Sequence, residues 1–257
     1  MEQFSAFIIG AMLGSFFNML IYRLPLGISL VNPKRSSCPT CGHTIKWYEN
    51  IPIISYTLVL RGKCGGCKEK IPSTYLIVEL ITASVSVLIY NHVGFSLEYI
   101  PVYLLFYTLI ILSFIDLKFK AVPDYLLIIV LILAMAVPNV SFASLFMFAG
   151  GIVLLELFVT YYIQNIKARI VKDDSLKDQR SMGEGDIPIV AVIGGLLGIK
   201  LGIAAMFLAA LFAIIPSLIN SFIKKDMETP FIPFLALGLF TVYIFQNQIN
   251  NLIGSLF

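Results

Sequence analysis

Nothing constrains this chain more than its succession of long apolar runs. A helix that crosses the roughly 30 Å hydrocarbon core of a bilayer needs about 20 apolar residues. Eight segments approach that requirement: 4–22, 73–91, 99–116, 123–139, 142–166, 187–199, 201–223 and 232–252. The sixth is short, and nothing in the sequence marks where it gives way to the seventh. Composition agrees, with 58% hydrophobic and 13% charged residues against about 25% charged in an ordinary soluble domain. The expectation is an all-α polytopic membrane protein of about eight transmembrane helices. The first run follows acidic Glu2 rather than a basic region and lacks a small-residue cleavage site before Arg23, so it is expected to stay in the mature chain rather than act as a removable signal.

Basic residues give the orientation. With alternating spans, the segments 23–72, 117–122, 167–186 and 224–231 share one side of the membrane and hold every Lys and Arg except Lys200. The side rich in Lys and Arg is cytoplasmic, which puts both termini outside. The net charge of +3 then reflects topology, and no nucleic-acid partner is expected. The chain divides into a first helix (1–22), a cytoplasmic loop (23–72) and a multi-span region (73–257). No internal repeat or low-complexity tract is evident. A loop of this size cannot bury a large core and needs a staple.

All four cysteines lie in that loop, as "CPTCG" (Cys38, Cys41) and "CGGC" (Cys64, Cys67), with 22 residues between the pairs. Two C-x2-C turns at such a spacing offer four thiolates to one tetrahedral Zn²⁺. Paired disulfides or a redox dithiol are the alternatives, but a cytoplasmic loop keeps its thiols reduced. A site of four sulfurs is closed, so the metal would fold the loop rather than catalyse. His43, beside the first pair, reads either as an alternative ligand or as a solvated loop residue.

Two carboxylates stand at membrane boundaries on the expected cytoplasmic side. Asp116 ends the third run in "SFIDLKFK", and Asp186 opens the sixth in "GEGDIP". Carboxylates brought close cannot both ionise freely; one keeps a proton while the other acts as a base toward water, which is the apparatus of an aspartic protease. Gly183 and Gly185 would let a substrate backbone approach. Taken singly, either aspartate is equally well read as a cap or a solvated boundary residue, and Asp186 with Pro188 in the following turn suits an N-cap. Asp124 suits one best. Glu79 and Glu156 lie inside apolar runs and must face a polar interior or be protonated.

Together these pieces resemble the bacterial type IV prepilin peptidases, membrane aspartic proteases of the GxGD type, over nearly the whole chain. "GSFFNMLIYRLP" (14–25) resembles the family's opening motif, and the four-cysteine loop resembles its cysteine-bearing domain. Asp116 in "DLKFKAVPD" and Asp186 in "GEGD" match the two catalytic aspartates, and "PFIPFLALG" from Pro230 resembles the motif opening the last span. Two departures stand out: Pro188 where the family usually has lysine, with Glu184 adding a carboxylate beside Asp186, and Ile232 where glycine often precedes the proline. The resemblance implies cleavage of a short basic leader from type IV prepilin or pseudopilin precursors, for pili, secretion or DNA uptake, at the cytoplasmic face of the bacterial inner membrane. It also implies N-methylation of the new terminus with S-adenosylmethionine. No glycine-rich cofactor fold is evident, so no residue is assigned to that cofactor. Oligomeric state is not legible.

Two rival readings come from other classes. In a multispan transporter, Glu79, Asp116, Glu156 and Asp186 would form an ion or proton path, although the repeated halves common in such proteins are not apparent. In a zinc-stabilised membrane scaffold the aspartates would be caps.

Overall fold

The computed structural model describes residues 1–31, 37–38, 40–171, 183–223 and 230–256. The described residues are nearly all helical and include no strand, only two isolated bridges. They form two compact units, Met1–Pro123 and Asp124–Phe257.

The first unit holds α1 (Glu2–Arg23), α2 (Thr74–Val93) and α3 (Ile100–Phe119). Small residues set the packing of α1 on α2. A Cβ at Gly14 would fall 2.7 Å from the Glu79 backbone, and one at Gly10 would overlap the Ser86 side chain. In lipid no hydrophobic force drives helices together, so such G-x3-G seams gain their contact by close backbone approach. Phe17 of α1 meets the Tyr107 ring of α3 at 5.5 Å, and the Tyr107 and Ser86 hydroxyls hydrogen-bond at 2.8 Å. The last residue of α2 is followed by Gly94 at φ 72°, which stops the helix. Pro101 sits in the first turn of α3, where its missing N–H costs nothing.

The second unit holds α4 (Asp124–Met135), α5 (Phe142–Tyr161), α6 (Ala168–Val171), α7 (Asp186–Ile223), α8 (Ile232–Ile244) and α9 (Gln246–Leu256). The Ser141 side chain accepts from the Ser144 N–H to cap α5, which continues through a π-helical stretch, Tyr162–Lys167, into α6. Helix α7 is central. Its glycines 194 and 202 receive the Phe148 ring of α5, and its Ala205 and Ala209 lie against Gly238 of α8.

Among the described residues, five helices are long and apolar enough to cross a membrane, and a sixth if α8 and α9 count as one bent span. The chain is thus a multi-pass membrane protein, and the eight runs map onto it with three differences. The fourth run, 123–139, holds only the 12-residue α4, because the chain turns at Ala136–Asn139. The sixth and seventh runs lie in α7, whose 38 residues would span about 57 Å if straight. The backbone breaks the helix at Gly198 (φ 70°, ψ −172°), a conformation open to glycine alone at little cost. The eighth run does not continue straight. After α8 the axis turns by 81° into α9, because Gln246, Asn247, Gln248, Asn250 and Asn251 would carry five amides into hydrocarbon.

Candidate active site and metal centre

The two cysteine turns have the same backbone design. Cys38 N–H donates to His43 O (2.9 Å) and Gly42 N–H to Cys38 O (2.9 Å); Cys64 N–H donates to Glu69 O (2.8 Å) and Lys68 N–H to Cys64 O (3.1 Å). Ser37 bridges Thr44, and Lys63 bridges Lys70, closing each turn. The fourth residue after the leading cysteine is left-handed in both, Gly42 at φ 71° and Lys68 at φ 61°. The turns face one another. All four sulfurs are free thiols and lie within 4.8 Å of each other, with Cys38–Cys67 and Cys41–Cys64 at 3.9 Å. Sulfurs about 2.3 Å from one tetrahedral zinc ion would stand about 3.8 Å apart, so the donor set fits the metal. Hydrogen bonding from the Cys41 and then the Thr40 backbone draws the Cys38 thiol down to about 6. The Glu69 backbone acts on Cys67 in the same sense, but desolvation and the three neighbouring sulfurs push that thiol up to about 12.

His43 stands outside the sulfur cluster and is a partly exposed loop residue held by a carboxylate. Its Nε2 lies 3.1 Å from Glu49 Oε2, which also accepts from the Lys46 N–H at 2.8 Å. That N–H, followed by the His43 contact, holds the Glu49 carboxyl below the usual carboxylate range. The pair packs across "CGGC": a Cβ at Gly65 would overlap the Glu49 carboxylate, and one at Gly66 would lie 3.0 Å from His43 Cβ. The two glycines are small for this reason. Sequence reasoning missed Glu49, although two successive glycines between ligands signal something packed over the turn.

Each aspartate is described within its own unit. Asp116 lies in the last turn of α3, beside fully buried Leu112 and Ile115, and is only 7% exposed. The chain leaves α3 through left-handed Lys120, whose N–H donates to Asp116 O at 2.9 Å. Asp186 is likewise 7% exposed. It is the first residue of α7 rather than the residue before it, and its N–H donates to Gly183 O at 3.1 Å. A Cβ at Gly183 would stand 3.6 Å from Asp186 Oδ2, so any longer side chain there would cover the carboxylate. Asp124 and Glu184 are exposed, and Glu156 is half-buried in α5. Glu79 is buried and accepts the Ile53 N–H at 2.7 Å.

The family motif's two departures leave the local backbone regular. Pro188 falls in the first turn of α7, and Ile232 is the buried first residue of α8 with Pro233 behind it. Neither position needs glycine geometry.

Residues 8–93 match the family described as Bacterial Peptidase A24 N-terminal domain, and residues 103–218 the Type IV leader peptidase family. A Bacillus subtilis (strain 168) protein is 32% identical over 251 residues, covering 95% of this chain and 94% of its own length. The chain belongs to the type IV leader peptidase family. A Dichelobacter nodosus relative is 32% identical over 278 residues, covering 95% of this chain and 91% of its own. A Vibrio cholerae serotype O1 relative is 34% identical over 220 residues, covering 81% and 82%. All three relatives are named prepilin leader peptidase/N-methyltransferase. No solved structure matches the chain. Membership in a leader peptidase family gives no support to the transporter reading.

Proposed function

We propose that this chain removes the short basic leader from type IV prepilin-like precursors, with Asp116 and Asp186 as its catalytic pair, at the cytoplasmic face of the inner membrane. The observation that carries the assignment is burial. Asp116 and Asp186 are withdrawn from solvent at helix ends, whereas the nearby acidic candidates Asp124 and Glu184 are exposed. A buried carboxylate that meets a second one keeps its proton, which divides the roles into acid and base. The ionised carboxylate draws a proton from water as its oxygen attacks the scissile carbonyl, and the protonated partner delivers its proton to the departing amine. The precursor's apolar helix, lodged in the same bilayer, supplies binding free energy away from the bond that breaks. Incubating the purified protein with a precursor and following leader loss by mass tests the reading. An intact precursor after exhaustive incubation overturns it.

The four thiols would hold one zinc ion as a structural clamp on the 23–72 loop. The relatives' names also support N-methylation of the new terminus, with S-adenosylmethionine as methyl donor. A groove of about 260 Å³ between α1 and the loop is lined by Met12, Ser15, Phe16, Met19, Asn50 and Pro52. That lining has no charged group for the amino-acid end of the donor and no carboxylate for its ribose, so it does not fit this cofactor and no methyl-transfer residue is assigned. Supplying cleaved pilin and labelled donor to the Asp186→Asn protein separates the activities. Methylation should persist there and be lost in Cys38→Ser; a methyl group that never appears with the unmutated protein would leave a peptidase only.

A further inference from the structure

Residues 51–60, "IPIISYTLVL", form an apolar segment inside a loop whose other parts carry the cysteines and lysines. Its position is fixed by hydrogen bonds to the two membrane helices that flank the loop. The Ile53 N–H donates to Glu79 Oε2 at 2.7 Å, and Glu79 lies five residues into α2, about 8 Å along the axis from its start. On the other side, Asn50 Oδ1 accepts from Ser15 Oγ at 3.5 Å. Ser15 lies eight residues before the end of α1, about 12 Å in from that end. Pro52 shares a groove with Met12, deeper still. The segment is therefore held alongside membrane helices and not above their ends.

Non-helical backbone survives at that depth only if its polar groups find partners within protein. Here they do. Ile54 N–H donates to Pro52 O, Ser55 N–H to Ile51 O, Thr57 N–H to Ile53 O and Leu60 N–H to Ser55 O, at 2.6 to 3.1 Å. Pro52 has no N–H to satisfy. The N–H of Ile53, a β-branched residue at φ 64°, is taken by the Glu79 carboxylate. Ser55–Val59 closes as one π-helical turn, and the Thr57 hydroxyl donates to Ile53 O at 2.7 Å. Apart from Thr57, whose hydroxyl is engaged by Ile53 O, what the segment turns outward is apolar: Leu58 is 71% exposed, and Ile54 and Val59 are each 48% exposed. These side chains continue the apolar outward faces of α1 (Met12, Phe16) and α2 (Ile77, Ile81).

We propose that Ile51–Leu60 re-enters the bilayer beside α1 and α2, with Ile54, Leu58 and Val59 among the acyl chains and Glu79 as the polar anchor that makes the excursion tenable. Arg61 and Lys63 return the chain to the headgroups, and Trp47, 79% exposed, enters at the interface where tryptophan is favoured. Glu79 is thus a positioning residue for this segment. Among the described residues of the loop, the cysteine turns would then stand clear of the membrane.

The full chain reconstituted in phosphatidylcholine nanodiscs with brominated acyl chains tests this. Trp47 is the sole tryptophan, so Trp47→Phe combined with Leu58→Trp places one probe on the segment. Bromines on the upper half of the acyl chain should roughly halve its emission, the depth at which apolar faces of interfacial elements sit, and aqueous iodide should leave it unchanged. Adding Glu79→Ala should move the probe toward iodide, whereas Glu79→Gln, whose amide oxygen still accepts, should not. Trp47 in the unmodified protein should be quenched by the shallowest bromines, a reading that needs no variant to fold. Strong iodide quenching without bromine quenching at position 58 overturns the proposal, since the segment is then in water. Protection from both quenchers overturns it too, because protein then covers the segment.

Discussion

The cysteine cluster and the aspartates are built in opposite ways. The cluster lies in one unit and is assembled from two short turns, each closed by its own backbone hydrogen bonds, so its geometry follows from local sequence. The proposed catalytic aspartates belong one to each unit, at the last turn of α3 and the first residue of α7, so the pairing proposed for them would not follow from local sequence. A site made of adjacent residues is tolerant of its surroundings, while one made of helix ends is only as exact as the helices that carry it.

The sharpest way to break this contrast is through the aspartates. Asp116→Asn and Asp186→Asn should each lower leader cleavage by about 10³-fold or more, since each removes one half of an acid–base pair, while membrane insertion stays intact. Asp124→Asn, at an exposed position, should retain most activity. Cleavage assays on the three purified variants decide it, and equal loss at all three would undo the assignment.

A second test addresses the cluster. Elemental analysis should find one zinc per chain, and Cys38→Ser should abolish it and expose the 23–72 loop to protease, because metal affinity in so small a region is folding free energy. Metal-free protein with its thiols oxidised in pairs would favour disulfides.

Smaller effects should come from the contacts that brace the turns. Glu49→Gln leaves the Lys46 N–H and His43 with a weaker acceptor and should speed zinc loss to a chelator severalfold, about 1 kcal/mol for a charge-assisted bond. The sign of its pH dependence follows from the lowered Glu49 carboxyl: the contact contributes fully above the ordinary carboxylate pKa and fades only as pH falls through the lowered one. Unmodified protein and Glu49→Gln should therefore converge in acid and differ at neutrality. The smallest change is expected of Lys68→Gly, which relieves a left-handed lysine at the place where the sister turn already has Gly42. Gain of roughly 1 kcal/mol from removed strain is offset in part by glycine's entropy. A clear loss of thermal stability would mean that the Lys68 side chain makes a contact of its own.

The same contrast explains what the sequence made legible. Four cysteines at C-x2-C spacing announce a metal site because the ligands are neighbours. Glu49 went unseen because its relation to Cys64–Cys67 appears only after both turns fold. The helical class was legible from apolar runs, but their ends were less so. "IGGLLGIKLG" holds four glycines, and only packing shows that 194, 195 and 202 receive neighbouring side chains while Gly198 is the break. In the last run, averaging hydropathy over twenty positions hid the cluster of amides after Phe245 that bends the chain into α9. Glu79 was visible as an anomaly, a carboxylate in an apolar run, but its partner is a backbone N–H twenty-six residues earlier, for which no residue type is a signal.

Helices α4 and α8 have 12 and 13 residues, about 18 and 20 Å of helix, against roughly 30 Å of hydrocarbon. A bilayer meeting such short walls must thin or take in water, at a cost of fractions of a kcal/mol per Å of mismatch. Thinning of the bilayer is therefore expected where lipid meets α4 and α8. A precursor helix reaching a thinned region would have less hydrocarbon to cross, and its leader junction would meet water sooner. Cleavage should accordingly quicken in bilayers of shorter lipids and slow in thicker ones; a rate indifferent to acyl length would show that the protein, not the lipid, brings the bond to water.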